Sequence, residues 1–295
     1  MDGRQLRYFL AIVDHGGFGK AAEHLLISQP SLSQSIARLE RELGVELFHR
    51  VGRRATLSAA GDELIAHARV VVRDLETARS AMDAIRGVHT GRVDISSMPS
   101  PGIEPLTSMI AAFRRRHPNV SISVDGAFSP DDVIAAVRTG TAEVGLLGSA
   151  SELRIPGVRS LPLLAQPLVL IVNPAEDHFG DASAVRREDL AGVRLIVSQP
   201  GSLMRSMVDD LLATGTTVDL AVEVAHRTSI LPLVLAGVGH AVMPASWVPL
   251  AAHSGLRTLR ITPASQLHVS VVSRADHLSA AAIGFLEVAR EFAST

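Results

Sequence analysis

Along the first ninety positions apolar residues recur at spacings of three and four; beyond them they come in short runs. The first pattern predicts helices, the second strands alternating with helices. Leu6, Phe9, Leu10 and Val13 mark one helix, stopped at His15-Gly16-Gly17. Phe18, Ala21, Ala22 and Leu25 mark a short second helix, and Leu26-Ile27 turn into a third. There Leu32, Ile36, Leu39 and Leu43 form the buried face. Ser28 is placed to cap it, and Pro30 falls in the first turn, where a missing N–H costs nothing. The opposite face carries Gln29, Ser31, Ser33, Gln34 and Arg38. These side chains are short and mostly uncharged, where an ordinary solvated helix carries Glu and Lys. Gln can pair two hydrogen bonds with adenine, Arg with guanine, and Ser with either kind of base edge. A surface helix of no special purpose is the alternative. The flanks weigh against it, because two short helices joined by a tight turn are a helix-turn-helix.

Residues 45–58 read as a short β-ribbon with Gly52-Arg53 at the tip. Arg50, Arg53 and Arg54 project where phosphates or the minor groove would lie; a solvated charged hairpin is the alternative. Next, Leu64, Ala68, Val71, Leu75, Ala78, Met82 and Ile85 are spaced 4-3-4-3-4-3, a heptad seam. A helix of ~27 residues spans ~40 Å, too long for local packing in so small a module, so it is expected to pair with a second copy. A single helix lying on the body is the alternative. Gly87 and Gly91 close it.

From residue 92 strands are expected at Val93–Ser96, Val120–Val124, Val144–Leu147 and Leu168–Val172, and again at Leu195–Ser198, Val218–Val224, Ala241–Met243 and His268–Val272. Helices are expected at Glu104–Arg116, Asp131–Thr139, Ser202–Ala213, Ser229–Leu235 and Ser279–Phe292. Two βαβ sets in series predict two lobes.

Composition adds bounds. At 295 residues and 47% hydrophobic, the chain can hold about two domains with sizeable cores. No apolar run approaches the ~20 residues of a membrane span. The start, Met1-Asp2-Gly3-Arg4, is unlike a secretory leader, and there is no cysteine for disulfides or thiolate metal sites. A cytoplasmic protein is expected. Residues 1–60 hold eight Lys/Arg against six Asp/Glu, so the net charge of -2 conceals a mildly basic N-terminal module.

The chain closely resembles the LysR-type transcriptional regulators. The residues that carry the resemblance are Gln5-Leu6-Arg7-Tyr8-Phe9, Gly17-Phe18, Ala21-Ala22, Ser28-Gln29-Pro30-Ser31-Leu32-Ser33, Leu39-Glu40, Leu43-Gly44, Leu47-Phe48, Arg50, Thr56 and Gly61. Further matches are Phe113-Arg114, His117-Pro118, Pro167-Leu168, Asp189-Leu190-Ala191-Gly192, Ala236-Gly237 and Met243-Pro244, so the likeness spans essentially the whole chain. It implies an N-terminal all-α winged helix-turn-helix (1–60), a linker and dimerisation helix (61–87), and a two-lobed α/β effector-binding body (88–295) of the type-2 periplasmic-binding-protein kind. The resemblance places one lobe at about 92–162 plus 267–295 and the other at about 163–266, with crossings near 161–165 and 262–267. It implies DNA contacts by Gln29, Pro30, Ser33 and Gln34 and a backbone or minor-groove contact by Arg53. Two positions depart: Gly19 stands where members usually have Thr or Ser, and Gln34 where many have Arg.

In such a fold the cleft between lobes holds a small molecule at strand ends and helix starts, where free N–H groups favour anions. Candidates are Ser97, Met98, Pro99 and Ser100 in one lobe, with Ser129 at its second helix. Pro200, Gly201 and Ser202 face them, with Arg227 and Thr228 at another helix start. Each serine is equally a plain helix cap, and Arg227 could pair with a ligand carboxylate or a rim salt bridge. Twelve histidines form no metal or catalytic constellation. An enzyme or solute binder on the same two-lobe fold is therefore the weaker reading. The expectation is a regulator without cofactor, dimeric or tetrameric, with promoter DNA and a small anionic metabolite as partners and RNA polymerase as a further candidate.

Overall fold

The computed structural model describes the chain apart from residues 52–53, 86–90, 152, 154, 177, 276–277 and 295. The side chains of 50–51, 54–55, 79–81 and 83–85 also lie outside the description. The first three helices are α1 (Gly3–Asp14), α2 (Phe18–His24) and α3 (Gln29–Leu43). Asp2 and Gln5 form a reciprocal capping box on α1. Ser28 caps α3, and Gly44 closes it at a left-handed φ of 72°. Leu6, Phe9, Ile12, Leu32, Ile36 and Leu39 meet in one core. An antiparallel ribbon follows, β1 (Phe48–Val51) on β2 (Arg54–Leu57). Glu40 fastens it, because its Oε1 accepts from the backbone N–H groups of Leu47 and Phe48 at 2.8 and 3.2 Å. The long helix α4 (Ala59–Ile85) starts hard against the ribbon. A Cβ on Gly61 would sit 2.3 Å from the Leu47 carbonyl oxygen, so only glycine fits there.

The heptad seam of α4 divides. Leu64 and Ala68 join the core of the N-terminal module, which corrects their assignment to a partner-facing seam: packing against α1 claims them first. Val71, Leu75, Ala78 and Met82 are exposed. The side chain of Ile85, and the wing positions Arg50, Arg53 and Arg54 as side chains, lie outside the described residues.

The body begins with β3 (Gly91–Ser97), α5 (Pro99–Ile103), α6 (Leu106–Arg116), β4 (Val120–Gly126), α7 (Pro130–Arg138), β5 (Val144–Ser149) and β6 (Val158–Val172). There follow β7 (Ala184–Arg186), β8 (Arg194–Ser198), α8 (Leu203–Ala213), β9 (Asp219–Val224), α9 (Ile230–Leu235), β10 (His240–Pro244), α10 (Val248–His253), β11 (Arg257–Thr262), β12 (Gln266–Arg274) and α11 (Ala280–Ala293). The helix expected at Glu104–Arg116 is α6, which starts at Leu106, and the short α5 before it was not expected. Pro105 drives Glu104 into an extended conformation, φ -144° and ψ 133°, which ends α5.

One lobe holds the strand order β4-β3-β5-β12-β6, and the other β9-β8-β10-β6-β11-β7. The 15-residue strand β6 belongs to both. Its residues Val158–Pro167 pair with β12, and Leu168–Val172 lie between β10 and β11. The sheet changes at 167/168, a few residues beyond the crossing read from the sequence. Residues 158–167 were not expected as strand; they carry Pro162 and Pro167, which fit because β6 is the outer strand of its first sheet, where a missing N–H is tolerated. The second crossing is the turn of residues 263–265 between β11 and β12. Phe113 of α6 and Phe285 of α11 stack edge-on, 5.5 Å between centroids, in the first lobe's core. Met204 and Met207 of α8 fill the second lobe's core. Among the described residues no helix is long and apolar enough to cross a membrane.

Candidate functional site

Two surfaces concentrate chemistry. The first is the outer face of α3. Its buried residues Leu32, Ile36 and Leu39 turn the opposite face outward, so Gln29, Pro30, Ser31, Gln34 and Arg38 are exposed and Ser33 is half-buried. Ser28 Oγ and Ser31 Oγ share a hydrogen bond of 2.8 Å at the helix start. The amide ends of Gln29 and Gln34 are exposed and have no hydrogen-bond partner among the described residues. Arg38 does not: its Nε donates to Glu42 Oε1 at 3.0 Å. The N-terminal ammonium also pairs with Glu42. That ammonium first, and Arg38 second, hold the Glu42 carboxyl at about 2, far below its ordinary value of 4.5. Leu26, in the turn before α3, is 92% exposed and holds a left-handed φ of 55°.

The second surface is the cleft between lobes, a cavity of about 670 Å³. Its walls include Met98, Pro101, Pro130 and Ile134 from the first lobe, Gly201, Ser202, Met204 and Arg227 from the second, and Leu267 at the crossing. Ser97 is buried and donates to its neighbour's carbonyl, Met98 O, at 3.0 Å. Pro99 is half-buried at the start of α5. Ser100 is fully buried and is not among the described wall residues. Its Oγ is engaged across the cleft, accepting from Arg227 Nη1 and from Trp247 Nε1, each at 3.3 Å. Ser202 caps α8 by accepting from Arg205 N at 3.1 Å and shares a 2.6 Å hydrogen bond with Ser198.

Of the ten candidates, Met98, Gly201, Ser202 and Arg227 line the cavity; Ser97, Pro99 and Ser100 lie behind its wall, and Ser129, Pro200 and Thr228 also stand apart from the described walls. Ser129 is a cap of α7, accepting from Asp132 N at 3.1 Å. The hydrogen bond from Ser129 in turn holds the Asp132 carboxyl below its ordinary range. Pro200 and Thr228 are exposed. Sequence reasoning also missed three residues. Trp247 and Gln166 span the lobes, Gln166 by donating to Glu104 O and accepting from Ser246 N, both at 3.1 Å. Glu40 anchors the wing. Only Glu40 had a local signal, a carboxylate on the inner side of an amphipathic helix.

Arg227 is the most unusual group of the cleft. It is 7% exposed, and burial pushes its pKa down to about 10. Arg205 nearby shows the ordinary case: Asp209 and Glu223 neutralise it and raise its pKa.

Residues 3–62 match the model of the bacterial regulatory helix-turn-helix protein, lysR family, and residues 86–294 that of the LysR substrate binding domain. The regulator IlvR of Caulobacter vibrioides is 29% identical over 292 residues, 99% of this chain and 98% of that protein. A "Probable RuBisCO transcriptional regulator" of Porphyra purpurea is 28% identical over 209 residues, 71% of this chain and 66% of that protein. The crystal structure of CbnR, a LysR family transcriptional regulator, superposes with a TM-score of 0.72 at 25% identity, covering 99% of both chains. Full-length OxyR from Pseudomonas aeruginosa gives a TM-score of 0.74 at 22% identity, over 99% of this chain and 94% of that one, a likeness of fold. By two family models that together cover nearly its whole length, the chain belongs to the LysR family of transcriptional regulators, DNA-binding proteins rather than enzymes.

Proposed function

We propose that α3 enters the major groove of promoter DNA and reads base edges with Gln29, Ser31, Ser33 and Gln34, Pro30 setting the approach. Arg50, Arg53 and Arg54 of the wing contact the sugar–phosphate backbone. Arg38 adds a contact that Glu42 restrains. The observation that carries this reading is the exposed, mostly uncharged hydrogen-bonding face of a helix whose other face is fully committed to the core. The exposed apolar residues Val71, Leu75, Ala78 and Met82 of α4 support pairing of two copies through that helix. Two α3 helices then read a two-fold related site, in a cytoplasmic dimer or tetramer. A small anionic effector occupies the cleft and shifts the balance between arrangements of the lobes.

The test is the double variant Ser33→Ala, Gln34→Ala, measured by fluorescence anisotropy on the chain's own upstream DNA and on random DNA at one salt concentration. Base readout predicts loss of preference for the specific site with salt-sensitive non-specific binding retained. Equal loss on both DNAs would mean that these residues do not read bases.

A further inference from the structure

The cleft buries a positive charge that the described protein groups around it do not neutralise. Among the described residues the Arg227 guanidinium has one hydrogen-bond partner, the neutral hydroxyl of Ser100. Burial lowers its pKa, and no carboxylate among the described residues pairs with it. Arg73 makes a useful contrast: it is also desolvated, but Glu143 and Asp94 push back. A buried charge without a countercharge is costly, and Arg227 sits in the wall of an open cavity. A ligand carboxylate would restore the balance with charge-assisted hydrogen bonds.

The remaining walls limit what that carboxylate can belong to. Met98, Ile134, Leu153, Ile155, Met204 and Leu267 give most of the surface to carbon and sulfur. The other charged groups among the described walls are Asp131, Arg138 and Asp210, all exposed. Arg138 already donates to Pro156 O at 2.9 Å, and the two aspartates repel a second anionic group. The wall serines Ser149, Ser202 and Ser206 already bond to Ser151 O, Ser198 Oγ and Ser202 O, so a sugar or a phosphate ester would leave most of its hydroxyls or extra charge against apolar side chains, at the cost of their hydration.

Resting on the reading of this cleft as the effector site, we propose that the effector is an amphipathic monocarboxylate, its single carboxylate held by Arg227 and its carbon skeleton packed on the apolar walls. Ser100 and Trp247 are positioning residues. Ser100 holds the guanidinium toward the cavity, and Trp247 ties the same hydroxyl to the second lobe.

The chain has one tryptophan, Trp247, and it lies at this junction, so its emission reports the site directly. The full chain is titrated with octanoate and 3-phenylpropanoate, with their primary amides, with octanedioate and with glucose 6-phosphate. Expected is a saturable change in emission with either acid, at least about tenfold tighter than with its amide, in keeping with a charge-assisted pair. Octanedioate and glucose 6-phosphate bind more weakly than the acids. Arg227→Gln loses the preference for acid over amide, and Arg227→Lys keeps part of it, so that misfolding of one variant does not decide the result. Stronger binding of the diacid or the sugar phosphate overturns the proposal. So does acid binding unaltered in Arg227→Gln, or no binding of either acid at millimolar concentration. A saturable Trp247 response to octanedioate or glucose 6-phosphate but to neither acid overturns the monocarboxylate and leaves the cleft as the effector site, whereas no response to any of the probes counts against both.

Discussion

The outer face of α3 and the cleft between the lobes are furnished with the same residue types, serines and arginines near helix starts. They differ in what those groups touch. On α3 the groups stand in solvent, and their backbone is set by a core that does not involve them. In the cleft Ser100, Ser202 and Arg227 are buried, and each is tied to another part of the fold. The lesson is that an exposed polar group is free to serve recognition alone, whereas a buried one serves structure and recognition at once. Side chains on the outer face of α3 are expected to be removable at little cost in stability, and those in the cleft are not.

The double variant Ser33→Ala, Gln34→Ala presses hardest on this contrast. Two lost base contacts should weaken specific DNA binding by about 100-fold or more, with stability changed by no more than about 0.5 kcal/mol. A fall of several degrees in melting temperature would erase the distinction. Ser100→Ala is the counterpart in the cleft. It strands the N–H groups of Arg227 and Trp247, so thermal unfolding should show a loss of about 1–3 kcal/mol, with an altered Trp247 emission and unchanged DNA affinity in the absence of effector. Glu40→Gln tests a polar group of the N-terminal module that does have a structural duty. A neutral amide accepts less strongly from Leu47 and Phe48, and a loss of about 1 kcal/mol is expected, together with weaker DNA binding through a displaced wing.

Glu42 sharpens the same contrast by pH. Its carboxyl is held at about 2 against an ordinary value of 4.5. A depressed acid keeps its ion pairs above its unfolded pKa and loses them as pH falls through the folded one. Glu42 therefore stays ionised across pH 5–8, and Arg38 remains restrained there. Glu42→Gln should raise DNA affinity a few-fold, about what one exposed ion pair is worth, and the gain should not vary with pH over that range. The smallest effect is expected at Leu26, exposed and left-handed. Leu26→Gly should stabilise the module by up to about 1 kcal/mol in denaturant unfolding, because glycine adopts that conformation without strain.

Legibility followed the same line. The helix-turn-helix and α4 could be read because one apolar stripe per helix reports its buried face. The outer face of α3 could be singled out because its side chains are not drawn into the core. Ser129 could not be told from a ligand contact, since a capping box and a binding serine share one local pattern. Trp247, Gln166 and the partner of Ser100 were invisible because the groups they meet lie 147, 80 and 127 residues away along the chain. Only the second half of β6, Leu168–Val172, was legible, because its first half carries Pro162 and Pro167, which an outer strand tolerates and an inner one does not. The division of the α4 seam was hidden for a similar reason. Heptad spacing does not say whether Leu64 meets another copy or its own α1.

The order of strands also governs how the protein can be made. β12 sits between β5 and β6 in the first lobe's sheet, yet it is translated after the whole second lobe. While the ribosome works through residues 173–265, β5 and β6 are present without the strand that joins them, and α11, which covers the same sheet, does not yet exist. The N-terminal module has no such dependence, since its core closes within residues 6–72. A nascent chain therefore carries a finished DNA-reading head well before it has a body able to answer a signal.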